Sequence, residues 1–175
     1  MKRAWLCVPL LLCSILQAEI AIPEHFEADF VQMVTNPKKK VITYEGDVKF
    51  SDSNKMKWKY SKPTQKEVCT NGKDLLVVDH DLEQASYYRI RDGFDLLSIL
   101  KSAKKHKDHI YLASYQDKTY TIKTAKDDTI QSVAYYDDLD NKVQILFKKM
   151  RYGKGKLDPA GMKCQIPKTY DIIKG

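Results

Sequence analysis

Histidines, which could bind a metal ion, are few in this chain, and the acidic residues are poorly spaced for a metal site. The chain has four histidines, and His106 and His109 stand three positions apart, so they would share one face of a helix. A site there would need a third ligand, and the lysines beside them disfavour a bound cation. The acidic run 137–141 lacks the glycine and the distal glutamate of a calcium loop and is typical of a hairpin turn. We therefore predict no metal ion and no cofactor.

The groups needed for catalysis show no recognisable arrangement either. The sequence has no serine elbow and no Cys–His nucleophile signature, and residues 152–156 lack the spacing of a phosphate-binding loop. Glu45 and Asp47 could act as a pair of carboxylates, but we expect both to face solvent. The chain is therefore predicted not to be an enzyme, and a small hydrolase is the alternative.

Alternation of apolar and charged residues is the clearest structural pattern. Between Tyr44 and Phe50 the even positions carry Tyr, Gly, Val and Phe, whereas the odd positions carry Glu, Asp and Lys. The segment from Met56 to Tyr60 repeats this arrangement. Because neighbouring side chains of a strand point to opposite faces, both segments are predicted to be half-buried antiparallel strands. The charged positions, including Lys57, are expected to face solvent.

The rest of the pattern predicts a mainly β domain. Further strands are expected in short alternating segments at residues 66–70, 75–79, 86–90, 110–115, 118–123, 130–137 and 143–147. A helix is expected from Asp92, as its capping residue, to Lys107, and Pro23–Phe26 could form a first helical turn. One helix cannot fill the concavity of a curved sheet of about ten strands. The strands therefore form either a tight barrel or a curved sheet around an apolar hollow.

The start of the chain is typical of a secretory signal peptide. Lys2 and Arg3 precede a mostly apolar run of roughly 13 residues, which is too short for a membrane span of about 20 residues. Cleavage is expected after about Ala18, because that residue is small. A buried N-terminal helix and an uncleaved anchor are the alternatives. Lipid attachment at Cys13 is rejected, because the preceding Leu12 is not small.

Export would leave residues 19–175 as a single basic domain outside the cytoplasm. Lys and Arg total 30 against 23 Asp and Glu, and the net charge of +7 falls to +5 when Lys2 and Arg3 are removed. A basic exported protein rarely meets nucleic acid, so membranes and other exported proteins are the expected partners. Cys69 and Cys164 could form a disulfide in an oxidising compartment, or they could be two small buried residues.

Two lysine clusters could dock on an acidic surface. One is Lys38–Lys40, just after Pro37, and the other comprises Lys101, Lys104, Lys105 and Lys107. Such lysines can bind an anionic membrane or an acidic protein. Alternatively, they keep the protein soluble and protect a sheet edge from pairing.

Five short motifs occur in an order that is found in one protein family. Phe26–Gln32 fits the pattern F-x-A-x-F-x-Q, and Tyr44–Val48 follows it. Met56–Pro63 resembles a W-x-Y-x-x-P block, and Asn71–Leu75 and Leu82–Ala85 complete the series. Their order behind a signal peptide resembles the LolA family, the periplasmic carriers of outer-membrane lipoproteins. The resemblance extends from residue 26 to residue 167.

The resemblance implies a fold and a function. LolA-like proteins are incomplete antiparallel β-barrels, in which helices form a lid over an apolar cavity that holds acyl chains. They accept lipoproteins from an inner-membrane ABC transporter in the periplasm and release them to an outer-membrane acceptor. For this chain we expect a monomer without a cofactor, whose release partner is such an acceptor or the membrane surface. A related envelope module that senses lipids or lipoproteins is the alternative function.

Strand parity assigns particular side chains to the expected cavity and its lid. The expected lining comprises Phe30, Tyr44, Val48, Phe50, Met56, Trp58 and Tyr60. The expected lid face comprises Phe94, Leu96, Leu97 and Leu100. Methionine and aromatic side chains adapt to acyl chains of different shape, and each buried CH₂ group contributes about 0.8 kcal/mol. An ordinary filled core is the alternative interpretation of these residues.

Three features depart from the family pattern. Asp52-Ser53 stands where LolA-like proteins have Arg-Pro, and that arginine is thought to latch the lid, so this lid must use another contact or latch weakly. Only Glu19–His25 precede the first motif in place of an N-terminal helix, so a smaller lid is expected. The chain ends eight residues after Pro167, so no long C-terminal extension is expected.

Overall fold

A computed structural model of the chain describes residues 20–51, 54–89 and 95–174. The expected signal peptide lies outside these ranges, as do the Asp52-Ser53 pair, Ile90 at the end of an expected strand, and residues 92–94 of the expected helix, which include Asp92 and Phe94. Within them the chain forms twelve strands and one helix, α1 (Leu96–Ser102). The strands are β1 (His25–Thr35), β2 (Val41–Ser51), β3 (Lys55–Lys62), β4 (Lys66–Thr70), β5 (Asp74–Asp79), β6 (Gln84–Arg89), β7 (Lys104–Lys107), β8 (Ile110–Tyr115), β9 (Lys118–Thr124), β10 (Ile130–Tyr136), β11 (Lys142–Gly153) and β12 (Asp171–Lys174).

These strands form one sheet, in the spatial order β12-β6-β5-β4-β3-β2-β1-β11-β10-β9-β8-β7. All neighbours are antiparallel except β12 and β6, which are parallel. The two outer strands, β12 and β7, do not pair with each other, so the curved sheet stays open. The prediction of an incomplete antiparallel barrel is therefore confirmed, and the tight barrel is not formed.

The predicted helical turn at Pro23–Phe26 is wrong, because β1 already begins at His25. Phe26, Ala28 and Phe30 continue the apolar alternation, and all three are buried. β1 pairs with β2 on one side and with β11 on the other along most of its length. Two sets of backbone hydrogen bonds and a buried face favour the strand over a single helical turn.

The predicted helix over Asp92–Lys107 is too long. The carboxylate of Asp95 caps α1 by accepting a backbone N–H of the first turn at 3.1 Å. The last part of the predicted helix instead forms β7, whose four residues are exposed and which pairs with β8. The apolar stripe of α1 ends at Leu100, so the lysine-rich segment that follows has no face to bury in a helix.

This correction also changes the position of the two histidines. His106 lies in β7 and His109 in the turn that follows, so they do not share a helix face. His109 Nδ1 instead lies 3.4 Å from the hydroxyl of Thr124. Within residues 20–51, 54–89 and 95–174, no three potential metal ligands cluster together.

The apolar core lies on the face of the sheet that α1 covers, here called the concave face. Phe30 and Val48 of the central strands are each exposed by 1 % or less. α1 packs on β8 and buries Leu96, Ile99 and Leu100 in the same core. In the described part of the chain, no helix has the length and apolar character needed to span a bilayer.

Candidate functional site

An aromatic cluster lies at the centre of the concave face, where β1, β2 and β3 run side by side. The ring of Phe30 contacts those of Trp58 and Tyr60 edge-on, with a centroid distance of 5.0 Å in each pair. Tyr44 contacts Tyr60 in the same way at 5.9 Å. Gly46 lies directly between β1 and β3, and a Cβ there would overlap the β3 backbone and the Phe30 ring. The glycine thus permits the close approach that brings the rings together.

A cavity of about 160 Å³ lies beside this cluster. It is lined by Gln32, Met56, Trp58, Tyr60, Val68, Thr70, Leu75, Tyr135 and Ile145. Burial raises the pKa of Tyr60 to about 12, and burial also raises the pKa of Tyr135. The Tyr60 hydroxyl donates to Gln32 Oε1 at 3.0 Å, which satisfies that hydroxyl inside the protein. The cavity therefore presents an uncharged, mostly apolar surface at neutral pH.

A second cavity, of about 380 Å³, lies between α1 and the ends of β3 and β4. Its lining includes Phe50 and Leu97, and it shares Met56 and Thr70 with the first cavity. The indole Nε1–H of Trp58 donates to the sulfur of Met56 at 2.7 Å. One flexible side chain and one small side chain therefore form the boundary between the two cavities.

The seven residues predicted to line a cavity all lie on the concave face, with Tyr44 and Tyr60 half-buried and the other five buried. Four of them line one of the two described cavities, namely Phe50, Met56, Trp58 and Tyr60. The other three pack around them, namely Phe30, Tyr44 and Val48. Sequence reasoning missed the lining contributed by β4, β5, β10 and β11, although those strands carry the same alternation.

The residues predicted for the lid are placed unequally. Leu96 and Leu100 are buried, Leu97 is half-buried and borders the second cavity, and Phe94 lies outside the described residues. Ile99, which is not among the predicted lid residues, is fully buried as well. Within the part of the chain that the structure describes, the side-chain hydrogen bonds of α1 stay inside the helix and its cap. Apolar packing therefore holds α1 on the sheet.

The opposite, convex face of β3–β6 is covered by residues 157–170, here called the strap, for which the sequence predicts no structure. Beneath it Lys57 and Glu67 form an ion pair at 3.2 Å, and their side chains are only 13 % and 8 % exposed. Lys57 Nζ donates to the Lys163 carbonyl at 2.7 Å, and the Gln165 N–H donates to Glu67 at 2.9 Å. The expectation that Lys57 faces solvent is therefore wrong, because the strap buries it.

A disulfide between Cys69 and Cys164 ties the strap to β4, with the two Cα atoms 5.9 Å apart. The strap leads into β12, which pairs with β6, and the hydroxyl of Tyr170 lies 3.0 Å from His80 Nδ1. The bridged residues are 95 positions apart. A covalent bond that closes so long a loop stabilises the fold by about 4.7 kcal/mol in the chain-entropy model.

Comparison with known proteins finds relatives along most of the chain. The profile of a family described as outer membrane lipoprotein carrier protein LolA matches residues 23–159. A protein of Helicobacter hepaticus named outer-membrane lipoprotein carrier protein is 32% identical over 149 residues, which cover 85% of this chain and 83% of that protein. A Campylobacter jejuni protein of the same name is 30% identical over 149 residues, covering 85% and 86% respectively.

The fold also has a counterpart among solved structures. The crystal structure of an uncharacterized conserved protein from Thermus thermophilus matches with a TM-score of 0.57, covering 88% of this chain and 92% of that one, at 10% sequence identity. This likeness concerns the fold alone. The family match and the two named relatives show more, namely that the chain belongs to the LolA family of outer-membrane lipoprotein carrier proteins.

Proposed function

We propose that this protein carries outer-membrane lipoproteins through the periplasm, with their acyl chains bound on the concave face. In this scheme an inner-membrane ABC transporter supplies the lipoprotein, and an outer-membrane acceptor or the membrane surface receives it. The names of the relatives support this class of cargo. The proposal rests above all on one observation, the uncharged and mostly apolar cavity beside the aromatic cluster.

The two cavities offer enough room for a ligand once they are joined. The first measures about 160 Å³, which is less than the roughly 300–1,000 Å³ of ordinary ligand pockets. The second measures about 380 Å³, and Met56 and Thr70 border both. A methionine has three rotatable bonds, so Met56 can turn aside and join the two cavities. The joined space is apolar beside the aromatic cluster, and Lys73, Asp95 and Lys101 border it near α1.

Burial of an acyl chain supplies the free energy that moves α1. Each CH₂ group that leaves water contributes about 0.8 kcal/mol, whereas α1 is held by the apolar contacts of Leu96, Ile99 and Leu100. Cargo that replaces these contacts exchanges one apolar surface for another. The exchange is therefore close to balanced, so the same site can accept an acyl chain and release it.

Binding of a tripalmitoylated lipopeptide to the purified protein tests this proposal. Tyr44→Glu puts a carboxylate at the edge of the aromatic cluster, whereas Thr43→Glu puts the same group on the convex face, at an exposed position one residue earlier. We expect Tyr44→Glu to weaken binding at least about tenfold, because an acyl chain cannot solvate a charge. Thr43→Glu should change binding by less than about twofold.

Thermal unfolding of both variants, followed by circular dichroism, verifies that they fold before binding is compared. Equal losses in the two folded variants would contradict a binding site on the concave face. The absence of lipopeptide binding by the unsubstituted protein would overturn the carrier function itself.

A further inference from the structure

The hairpin between β1 and β2 ends in a well-fixed basic turn. Lys38, Lys39 and Lys40 follow Pro37, and all three are exposed. The Asn36 side chain accepts the Lys40 N–H at 2.9 Å, and the Asn36 backbone bonds to both Lys39 and Lys40 at 2.9 Å. Among the described residues, no ion pair engages any of these three ammonium groups. The turn therefore presents three positive charges to solvent.

Two exposed aliphatic residues follow these lysines directly. Val41 is 55% exposed and Ile42 is 51% exposed. β2 begins to pair with β3 only at Glu45, opposite Lys62, so its first four residues extend beyond β3. Residues 36–42 are here called the basic tip. Lysines beside exposed aliphatic side chains are the combination by which proteins bind the surface of an anionic bilayer.

The basic tip lies at the same end of the sheet as the first cavity. Ile42 pairs with Val34, and two residues further along the strands Tyr44 pairs with Gln32, which lines that cavity. Residues that are directly opposite or two positions apart share one face of a sheet, so Ile42 and Gln32 both lie on the concave face. Two residues of a strand span about 7 Å, so the tip stands close to the cavity.

The neighbouring hairpin between β10 and β11 is acidic, and a lysine offsets the charge of one of its three carboxylates. The carboxylate of Asp137 accepts backbone N–H groups of its own turn from Leu139 and Asn141, each at 2.9 Å. Asp138 forms an ion pair with Lys118 at 3.0 Å. Asp140 is the third acidic residue of this turn. The turn thus carries as many carboxylates as the basic tip carries lysines.

The second lysine cluster differs from the basic tip. Lys104, Lys105 and Lys107 lie on β7, the edge strand, and Lys105 forms an ion pair with Asp108 at 3.0 Å. Large exposed apolar side chains are absent from this part of the described structure, residues 104–109. Lysines on an edge strand prevent it from pairing with other chains. This cluster therefore offers a matched comparison of equal charge without the aliphatic residues.

We propose that the basic tip docks this protein on an anionic lipid bilayer, a role that rests on the carrier function proposed above. The lysine ammonium groups contact lipid phosphates, and Val41 and Ile42 enter the boundary between head groups and acyl chains. The end of the sheet that holds the first cavity then faces the bilayer. A cargo acyl chain can thus pass between protein and membrane with little exposure to water.

Co-sedimentation with lipid vesicles tests the docking. The protein, purified from the periplasm after export, is mixed with vesicles of phosphatidylcholine alone or of phosphatidylcholine with phosphatidylglycerol. We expect binding to the anionic vesicles only, and a decline as salt is added. The combined change Lys38→Gln, Lys39→Gln and Lys40→Gln should weaken binding at least about tenfold. Ile42→Thr alone should weaken it by about threefold.

The matched control changes Lys104→Gln, Lys105→Gln and Lys107→Gln, which removes the same charge from β7. This control should bind anionic vesicles within about twofold of the unsubstituted protein. Equal losses in the two triple variants would show that net charge, not the basic tip, causes binding, and would overturn the proposal. Failure of the unsubstituted protein to bind anionic vesicles would overturn it as well.

The lipopeptide assay separates this proposal from the carrier function. The basic-tip variant should bind the tripalmitoylated lipopeptide as well as the unsubstituted protein does, because its lysines do not line either described cavity. Normal lipopeptide binding without vesicle binding refutes the docking alone. Vesicle binding through the tip without lipopeptide binding refutes the carrier function and leaves a membrane-surface protein.

Discussion

Strands β3 and β4 carry two very different surfaces. On the concave side Met56, Trp58 and Val68 surround a cavity, and the helix above it is held by apolar contacts. On the convex side the same strands hold a buried ion pair, a disulfide and backbone hydrogen bonds from the strap. Apolar contacts are not directional and can exchange partners, whereas buried charges and covalent bonds require one geometry. The sheet is therefore fixed from its convex side, and its concave side can adapt.

Loss of the disulfide should have the largest effect on stability. Cys69→Ser combined with Cys164→Ser should lower the free energy of unfolding by about 4.7 kcal/mol, because the unfolded chain regains the entropy of a long loop. Urea denaturation followed by circular dichroism measures this change. Lipopeptide binding, measured where the variant is fully folded, should stay within about twofold. A tenfold loss of binding in the folded variant would contradict the division between the two faces.

Removal of one partner of the buried ion pair should have the second-largest effect on stability. Lys57→Met leaves the carboxylate of Glu67 buried without its cation, so we expect a loss of about 3 kcal/mol in the free energy of unfolding. Lys59→Met is the matched control, because Lys59 lies on the same face of β3 but is exposed. It should cost less than about 0.5 kcal/mol. Similar urea midpoints for the two variants would show that the strap does not bury a significant charge pair.

A change at the boundary of the two cavities should affect binding more than stability. Met56→Trp puts a large, less flexible side chain between them, so a palmitoylated lipopeptide should bind about tenfold more weakly. An octanoylated lipopeptide, which is short enough for one cavity, should be affected by less than about twofold. Met56→Leu is the control of similar volume. Equal losses for long and short acyl chains would mean that the cavities do not join.

The smallest effect concerns the ionisation of the aromatic cluster. Burial raises the pKa of Tyr60 to about 12 from the ordinary 10.0. The unfolded chain therefore loses this proton at a lower pH than the folded chain. The contribution to stability is complete below pH 10 and disappears as the pH rises toward 12. Tyr60→Phe should reduce the fall in melting temperature over this interval by about 5–9 °C; an unchanged fall would show that Tyr60 is not protected from ionisation.

Local alternation explains which parts of the fold could be predicted from the sequence. It predicts strands at Tyr44–Phe50 and Met56–Tyr60, and both segments lie inside observed strands. The strap shows no alternation of apolar and charged residues. Its contacts with the sheet are made by backbone groups and by single side chains whose partners are far away in the sequence. Gln165, for example, bonds to Glu67. Gln165 and Glu67 themselves give no sign of this contact, and the one indication in the sequence is the possible pairing of the nearby Cys69 and Cys164.

The candidate site could be predicted in position but not in size. The alternation of residues along β3 places Trp58 and Tyr60 on the apolar face. Whether a cavity exists there depends on side chains from β4, β10 and β11, which are distant in sequence and come together only in the fold. Val68, Tyr135 and Ile145 complete the lining, and their distance from β3 follows from the curvature of the sheet. Parity says nothing about curvature. That these residues bind acyl chains stays a prediction.

Fluorescence of Trp58 can test acyl-chain binding most directly. The chain has two tryptophans, Trp5 in the expected signal peptide and Trp58, so the exported protein reports from Trp58 alone. A lipopeptide with brominated acyl chains quenches a tryptophan only when bromine comes into near contact with the ring. We predict strong, saturable quenching by the brominated lipopeptide and none by its unbrominated form. Tight binding without quenching would place the acyl chains away from the concave face and contradict the central claim.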